Sequence, residues 1–147
     1  MKSKTQTCPH CGGNVRIYQN PLPTVDILIQ RNNRILLIQR KNFPYGWALP
    51  GGFIDYGESA EKAAVREARE ETKLEVYNLR LLGVYSKPDR DPRFHTISVV
   101  YTAEARGESK ASDDAADLGW FDRRHLPSPL AFDHKQILTD FFDEQFH

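Results

Sequence analysis

Residues 52–74 read GFIDYGESAEKAAVREAREETKL. From Ser59 to Thr72 this stretch holds strong helix formers and neither Gly nor Pro, so it predicts a helix. Ser59 is the expected N-cap, and Glu61 falls in the first turn, where the helix dipole favours an anion. At about 100° per residue, Glu67, Glu70 and Glu71 fall at i, i+3 and i+4 and share one face. Ala60 and Ala63 lie on that face in earlier turns, where small side chains are expected to leave room for a ligand. Ala64, Val65 and Ala68 form the adjacent apolar stripe, expected to face the core. Lys62, Arg66, Arg69 and Lys73 take the remaining side.

Three carboxylates on one helix face repel each other unless a cation joins them. Hard divalent ions such as Mg²⁺ take oxygen ligands and bind together with waters and substrate phosphates. Such ions polarise phosphoryl oxygens and generate hydroxide from bound water. Gly51-Gly52, just ahead of the helix, lets backbone approach the same place closely. The plainer reading of the same residues is a solvated helix with surface pairs, such as Arg66 with Glu70 at i,i+4. An isolated Glu-x-x-Glu-Glu would favour that reading, and the spacing of the whole stretch reverses it.

Outward from this helix, the flanks read mostly as strands. Thr24–Gln30 is rich in β-branched residues, and Arg34–Lys41 carries the apolar run Ile35-Leu36-Leu37-Ile38; with polar Arg31-Asn32-Asn33 between them they predict a hairpin. Asn42–Gly57 is dense in Pro, Gly and aromatics and reads as a shaped loop. After the helix, Leu74–Ser86, His95–Ala105 and Leu118–Phe121 read as strands, separated by the loops Lys87–Phe94 and Gly107–Asp117. Pro127 and Pro129 precede a closing helix over roughly Asp133–Phe146. Strands outnumber helices, which argues an α/β or α+β domain with helices covering a mixed sheet. Pro21 and Pro23 mark a boundary, so residues 1–20 read as an appended arm and 21–147 as the main domain.

The chain has 147 residues with 20 basic and 20 acidic side chains, a formal charge of zero. A length of this order buries a real core in one domain. No basic excess is present to neutralise a phosphate backbone, so a small substrate is favoured and no nucleic-acid partner is expected. No apolar run is long enough to span a bilayer, and the N-terminus has no signal-like stretch, so no membrane contact and a cytoplasmic location are expected.

The quoted stretch resembles the Nudix box: Gly, five residues, Glu, seven residues, Arg-Glu, an aliphatic residue, any residue, Glu-Glu, any residue, Gly, an aliphatic residue. Here those positions are Gly52, Glu58, Arg66-Glu67, Ala68, Glu70-Glu71, Lys73 and Leu74. Every charged position matches. Lys73 departs from the Gly that usually closes the helix in a left-handed conformation, which puts the helix end in question and not the chemistry. The resemblance spans about residues 22–146 and implies an α/β fold of the Nudix type, an α/β/α sandwich around a mixed β-sheet. It also implies that Glu67, Glu70 and Glu71 bind Mg²⁺ or Mn²⁺ with help from Glu58 or the Gly52 carbonyl, and that Arg66 orients a box carboxylate. The implied reaction is attack of water on a phosphorus of a nucleoside diphosphate linked to another group.

The loop Tyr85–His95 and the stretch Leu130–His134 are similar to those of ADP-ribose pyrophosphatases in this superfamily. On that resemblance ADP-ribose is the expected substrate, split to AMP and ribose 5-phosphate. NADH, a dinucleoside polyphosphate or a modified nucleoside triphosphate stays open, as does a non-catalytic nucleotide sensor. Arg90 and Arg93, with Arg40, are expected to clamp phosphate, and Phe43, Tyr45 and Trp47 to stack a base. Packing is the equal alternative for the aromatics, and pairing with Asp89 or Asp91 for the two loop arginines. A base or further metal ligand outside the box is expected from Asp113, Asp114 or Glu108, without a choice among them. His95, His125 and His134 read as structural.

Cys8-x-x-Cys11, with His10 and Gly12-Gly13, looks like half of a zinc ribbon. Structural zinc takes four protein ligands, and the second pair is missing, so metal-free reduced thiols are favoured over Zn²⁺. Zinc shared across a dimer stays open, and a homodimer is the prior from relatives.

Overall fold

The computed structural model describes residues 1–144. Two hairpins begin the chain. The first pairs β1 (Lys2–Thr7) with β2 (Asn14–Gln19) as a separate two-stranded sheet. The second joins β3 (Leu22–Arg31) to β4 (Arg34–Arg40) through Asn32 and Asn33, at φ 50° and 59°. Consecutive positive φ values are what a tight hairpin turn requires, and Asn tolerates them better than most residues.

A seven-stranded mixed sheet grows from this hairpin. β3 runs parallel to β8 (Thr96–Arg106), and β8 is antiparallel to β7 (Glu75–Tyr85). β4 pairs antiparallel with β5 (Gly46–Ala48) and with β9 (Ala115–Phe121), and β6 (Gly51–Phe53) pairs with β3. The Asn42–Gly57 segment, expected as a loop, therefore contains two three-residue strands, too short to be visible as alternation.

Helix α1 (Ala60–Thr72) covers one face of the sheet and α2 (His134–Glu144) the other. Gln145 and Phe146, expected in the closing helix, lie outside the described residues. Alternation along β3 builds both cores. Val25, Ile27 and Ile29 meet Ala63, Ala64 and Ala68 of α1, and Leu28 meets Ile137, Leu138 and Phe141 of α2. The architecture is an α/β/α sandwich. Among the described residues no helix is long and apolar enough to cross a membrane.

Two expectations for α1 change. Val65 is 42% exposed and not part of the buried stripe, whereas Ala63 is wholly buried in the core. Ala60 also packs against that core, so the two alanines serve close approach to the sheet and not a ligand space. The helix begins where expected, with Ser59 accepting from Lys62 N at 3.2 Å. It ends at Lys73, which adopts the left-handed conformation (φ 64°) and donates its N–H to the Arg69 carbonyl. A lysine thus takes the conformation usually given to Gly, and its Nζ reaches the Glu70 carbonyl at 3.1 Å.

Candidate active site

The exposed end of α1 and the short strands ahead of it meet at Gly51 and Gly52. A Cβ on Gly51 would overlap the Val25 carbonyl and Asp26, and a Cβ on Gly52 would overlap the Glu67 carboxylate. Gly51 has no space for a side chain against the β3 backbone, and a side chain at Gly52 would displace the Glu67 carboxylate from its place against the chain.

Arg66 is the centre of the carboxylate cluster. Its Nε and Nη2 donate to the two oxygens of Glu58 at 2.8 and 2.9 Å. Nη1 reaches Glu67 at 2.8 Å and Glu70 at 3.2 Å, and Nη2 also donates to the Phe53 carbonyl. The sequence suggested one oriented carboxylate; the structure gives Arg66 three. Glu58 spends both oxygens on Arg66 and accepts from Asp55 N, and the fork of Arg66 beside it holds its carboxyl down at about 2. The same contacts raise Arg66 above its ordinary value.

Glu71 stands apart from Arg66 and accepts from Gly51 N at 2.8 Å. Burial pushes its carboxyl up to about 8, with Glu67 and Asp26 adding repulsion against the help of Gly51 N–H. Burial also raises Glu67, opposed by Arg66. Among the described residues no three acidic, His or Cys side chains are gathered as a ready chelate, because Arg66 stands between Glu58, Glu67 and Glu70. The donors are nevertheless hard oxygens, and two of them are strained toward protonation by burial and by each other. A divalent cation relieves that strain, so the donor set fits such an ion.

A cavity of about 60 Å³ opens beside Glu71 and Gly51, with Arg40, Arg93 and Phe132 at its walls and His134 below. It has room for a small polar group, since about 10–15 Å³ of such space holds one water. Two guanidinium groups lie over the Phe132 ring, Arg40 at 4.8 Å and Arg93 at 5.7 Å from its centroid. Phe132 itself has φ 54°, a costly conformation for a bulky residue and one that collects at functional sites. Buried Asp91 holds Arg93 through Nε and Nη2 at 3.0 and 2.9 Å. Burial lowers Arg40, and Arg93 nearby lowers it further.

Under this cavity lies a buried polar network that the sequence reading missed. Arg90 donates to both oxygens of Asp133, at 3.0 and 2.7 Å, and to Asp26 at 3.3 Å and Thr96 at 2.8 Å. Its side chain is 3% exposed, so the expected phosphate clamp at Arg90 is corrected to a structural tie. Ser98 also donates to Asp26. Burial works against the Asp26 carboxylate, yet the nearby His134 ring and the donors Arg90 and Ser98 outweigh it and hold it below the usual range. His134 Nδ1 accepts from Leu49 N at 3.0 Å, which leaves Nε2 to carry the ring proton. That Nε2 lies 3.3 Å from Asp26 Oδ1 but is not aligned for a hydrogen bond. The signal in the sequence was a lone carboxylate, Asp26, inside an apolar strand.

The remaining candidates lie elsewhere. Trp47, half-buried, packs edge-on against Phe121 at 5.1 Å beside the α2 core, which favours the packing alternative. Phe43 and Tyr45 pack against each other in the open. Asp113 and Asp114 are exposed in the loop before β9, with Asp114 near Arg40 and Glu71 at the edge of a second cleft. Glu108 is exposed.

The NUDIX domain family matches this chain over residues 20–141. The chain belongs to the Nudix family. An ADP-ribose pyrophosphatase of Methanocaldococcus jannaschii is 51% identical to it over 129 residues, which are 86% of this chain and 76% of that protein. The chain superposes on a MutT/nudix family protein from Enterococcus faecalis with a TM-score of 0.78 at 34% identity, covering 87% of this chain and 63% of that one. It also superposes on the NUDIX domain of Shewanella oneidensis NrtR, solved with ADP ribose, with a TM-score of 0.75 at 29% identity, covering 87% and 90%. This Nudix chain is therefore a pyrophosphohydrolase. Nudix hydrolases use divalent metal ions, consistent with the donor set on α1.

Proposed function

We propose that this Nudix pyrophosphohydrolase cleaves ADP-ribose to AMP and ribose 5-phosphate with Mg²⁺ or Mn²⁺. One observation carries the reading: Arg40, Arg93 and Phe132 line the same small cavity as Glu71, Gly51 and Gly52, so cationic groups and a box carboxylate border one space. A diphosphate suits that arrangement, with its oxygens on the arginines and the phosphorus under attack near the carboxylates. The 51% identity to an ADP-ribose pyrophosphatase and the likeness to an ADP-ribose-bound NUDIX domain support the choice of substrate.

Glu67, Glu70 and Glu71, with the Gly52 carbonyl, would hold the ion. When bound, it supplies charge neutralisation and makes water more acidic. Arg66 orients Glu67 and Glu70 and is itself held by Glu58. Gly51 N–H positions Glu71. Arg40 and Arg93 bind and orient the diphosphate, and Phe132 keeps both guanidinium groups at the mouth. Asp113 or Asp114 would receive the water's proton, Asp114 being the nearer to Glu71. Residues 21–147 form the catalytic unit, and residues 1–20 stand outside the chemistry.

Incubation with Mg²⁺ and a panel of ADP-ribose, NADH, diadenosine polyphosphates and nucleoside triphosphates tests this. ADP-ribose is expected to be cleaved fastest, and Glu70→Gln and Glu71→Gln to abolish turnover. A different preferred substrate would overturn the choice of ADP-ribose and leave the box assignment intact. Tight binding of ADP-ribose with no cleavage under either metal would make the chain a sensor.

A further inference from the structure

The hairpin of residues 2–19 has no part in that chemistry, and its turn brings Cys8 and Cys11 together. Cys8 N donates to the Gly13 carbonyl at 2.7 Å, and Gly12 N to the Cys8 carbonyl at 2.9 Å. Gly12 sits at φ 72°, a left-handed position that a side chain would strain. The nearby backbone N–H groups of Cys11 and His10, with the Cys11 thiol, hold the Cys8 thiol below its ordinary value. Cys8 and Cys11 therefore flank one tight turn, which the Gly12 and Gly13 backbone closes, and a Cβ on Gly13 would come within 3.3 Å of the Cys11 sulfur. Amide donors around sulfur favour the thiolate, the form that ligates metals.

Two further observations say that this turn is unfinished. Both hairpin strands are exposed almost throughout, with Val15 47% and Tyr18 52% open to water. A lone two-stranded hairpin is marginally stable in water, so it needs another tie. Residues 1–20 also contain no Asp or Glu, while Lys2, Lys4 and Arg16 lie on the paired strands. The arm thus offers sulfur ligands, positive charge and no carboxylates, which selects a soft or borderline cation over Mg²⁺.

Zinc takes four ligands in a structural site. Among the described residues no third His, Cys, Asp or Glu is grouped with Cys8 and Cys11. A two-fold axis through the metal doubles the pair and completes a tetrahedron. We propose that Cys8 and Cys11 bind Zn²⁺ together with the same pair of a second copy of this chain, tying two hairpins into a dimer. Each thiol releases its proton to solvent on binding, and a tetrathiolate zinc centre carries net negative charge. Lys2, Lys4 and Arg16 from both copies offset that charge.

The full chain, reduced and stripped of metal, is titrated with Zn²⁺ while molar mass is followed by light scattering and bound metal is counted. The mass is expected to double, with one zinc bound for each pair of chains. Co²⁺ used as a probe is expected to give the visible absorption of tetrahedral thiolate ligation. A Cys8→Ser/Cys11→Ser double variant, altered only in the turn of the first hairpin, keeps its circular dichroism spectrum and loses both responses. A mass independent of zinc, or uptake of one zinc by each single chain, would overturn the proposal. So would metal retained by the double variant, or a Cys8–Cys11 disulfide that re-forms in place of metal uptake. None of these readouts depends on the substrate assignment.

Discussion

Arg66 is where a single residue does the most in this molecule. Its fork reaches Glu58, Glu67, Glu70 and the Phe53 carbonyl at once, which a point charge on a flexible stem cannot copy. Arg66→Lys is expected to lower turnover or metal affinity about 10- to 100-fold, the usual cost of losing a ligand-orienting partner. Steady-state rates on ADP-ribose across a Mg²⁺ series check this; an unchanged rate and metal dependence would refute the orienting role. Asp26 is the second such residue, and its effect is on stability. Asp26→Asn removes one buried anion facing Arg90 and His134 and is expected to cost about 3 kcal/mol, the low end for a broken buried pair because Arg90 keeps Asp133. The folded carboxyl lies below its unfolded value, so its contribution is complete above about pH 3.9 and is lost as pH falls through the folded value. Urea denaturation should therefore show a constant gap between the two proteins near neutrality that closes in strong acid. A gap that widens in acid would contradict the assignment.

At the level of elements, α1 is read well from its sequence at its start and less well along its flanks. The Ser59 cap and the shared face of Glu67, Glu70 and Glu71 depend only on helix geometry, which is local. Which apolar residues are buried depends on the angle at which the helix meets the sheet, and this exchanges Val65 for Ala63. Lys73 closes the helix with φ 64°, a conformation that Gly adopts without steric cost. Lys73→Gly is expected to raise stability by up to about 1 kcal/mol, reduced by the greater chain entropy of Gly in the unfolded state and by loss of the Nζ contact to Glu70. A lower urea midpoint in the variant would mean that this contact outweighs the backbone strain. The strands β5 and β6 were not legible, since three residues carry no period, and they pair only because β3 and β4 are already in place.

For the whole molecule, the seven-stranded sheet and its two helices form one unit, and the first hairpin is a separate two-stranded sheet. Deleting residues 1–20 is accordingly expected to leave ADP-ribose turnover and the main urea transition unchanged. Loss of either would show that the hairpin supports the catalytic unit. The sequence by itself determined the α/β class, the box helix with its cap and its row of glutamates, and the hairpin turning at Asn32-Asn33. Each rests on spacing or backbone preference within a few residues. Only the tertiary structure decided which arginines can face a substrate. Arg90 and Arg93 are three residues apart with aspartates beside both. The fold buries Arg90 against Asp26 and Asp133, 64 and 43 positions away, and leaves the Arg93 side chain 32% exposed over the Phe94 and Phe132 rings. Buried charge needs partners, and those partners come from strands and helices that meet only when the sheet closes.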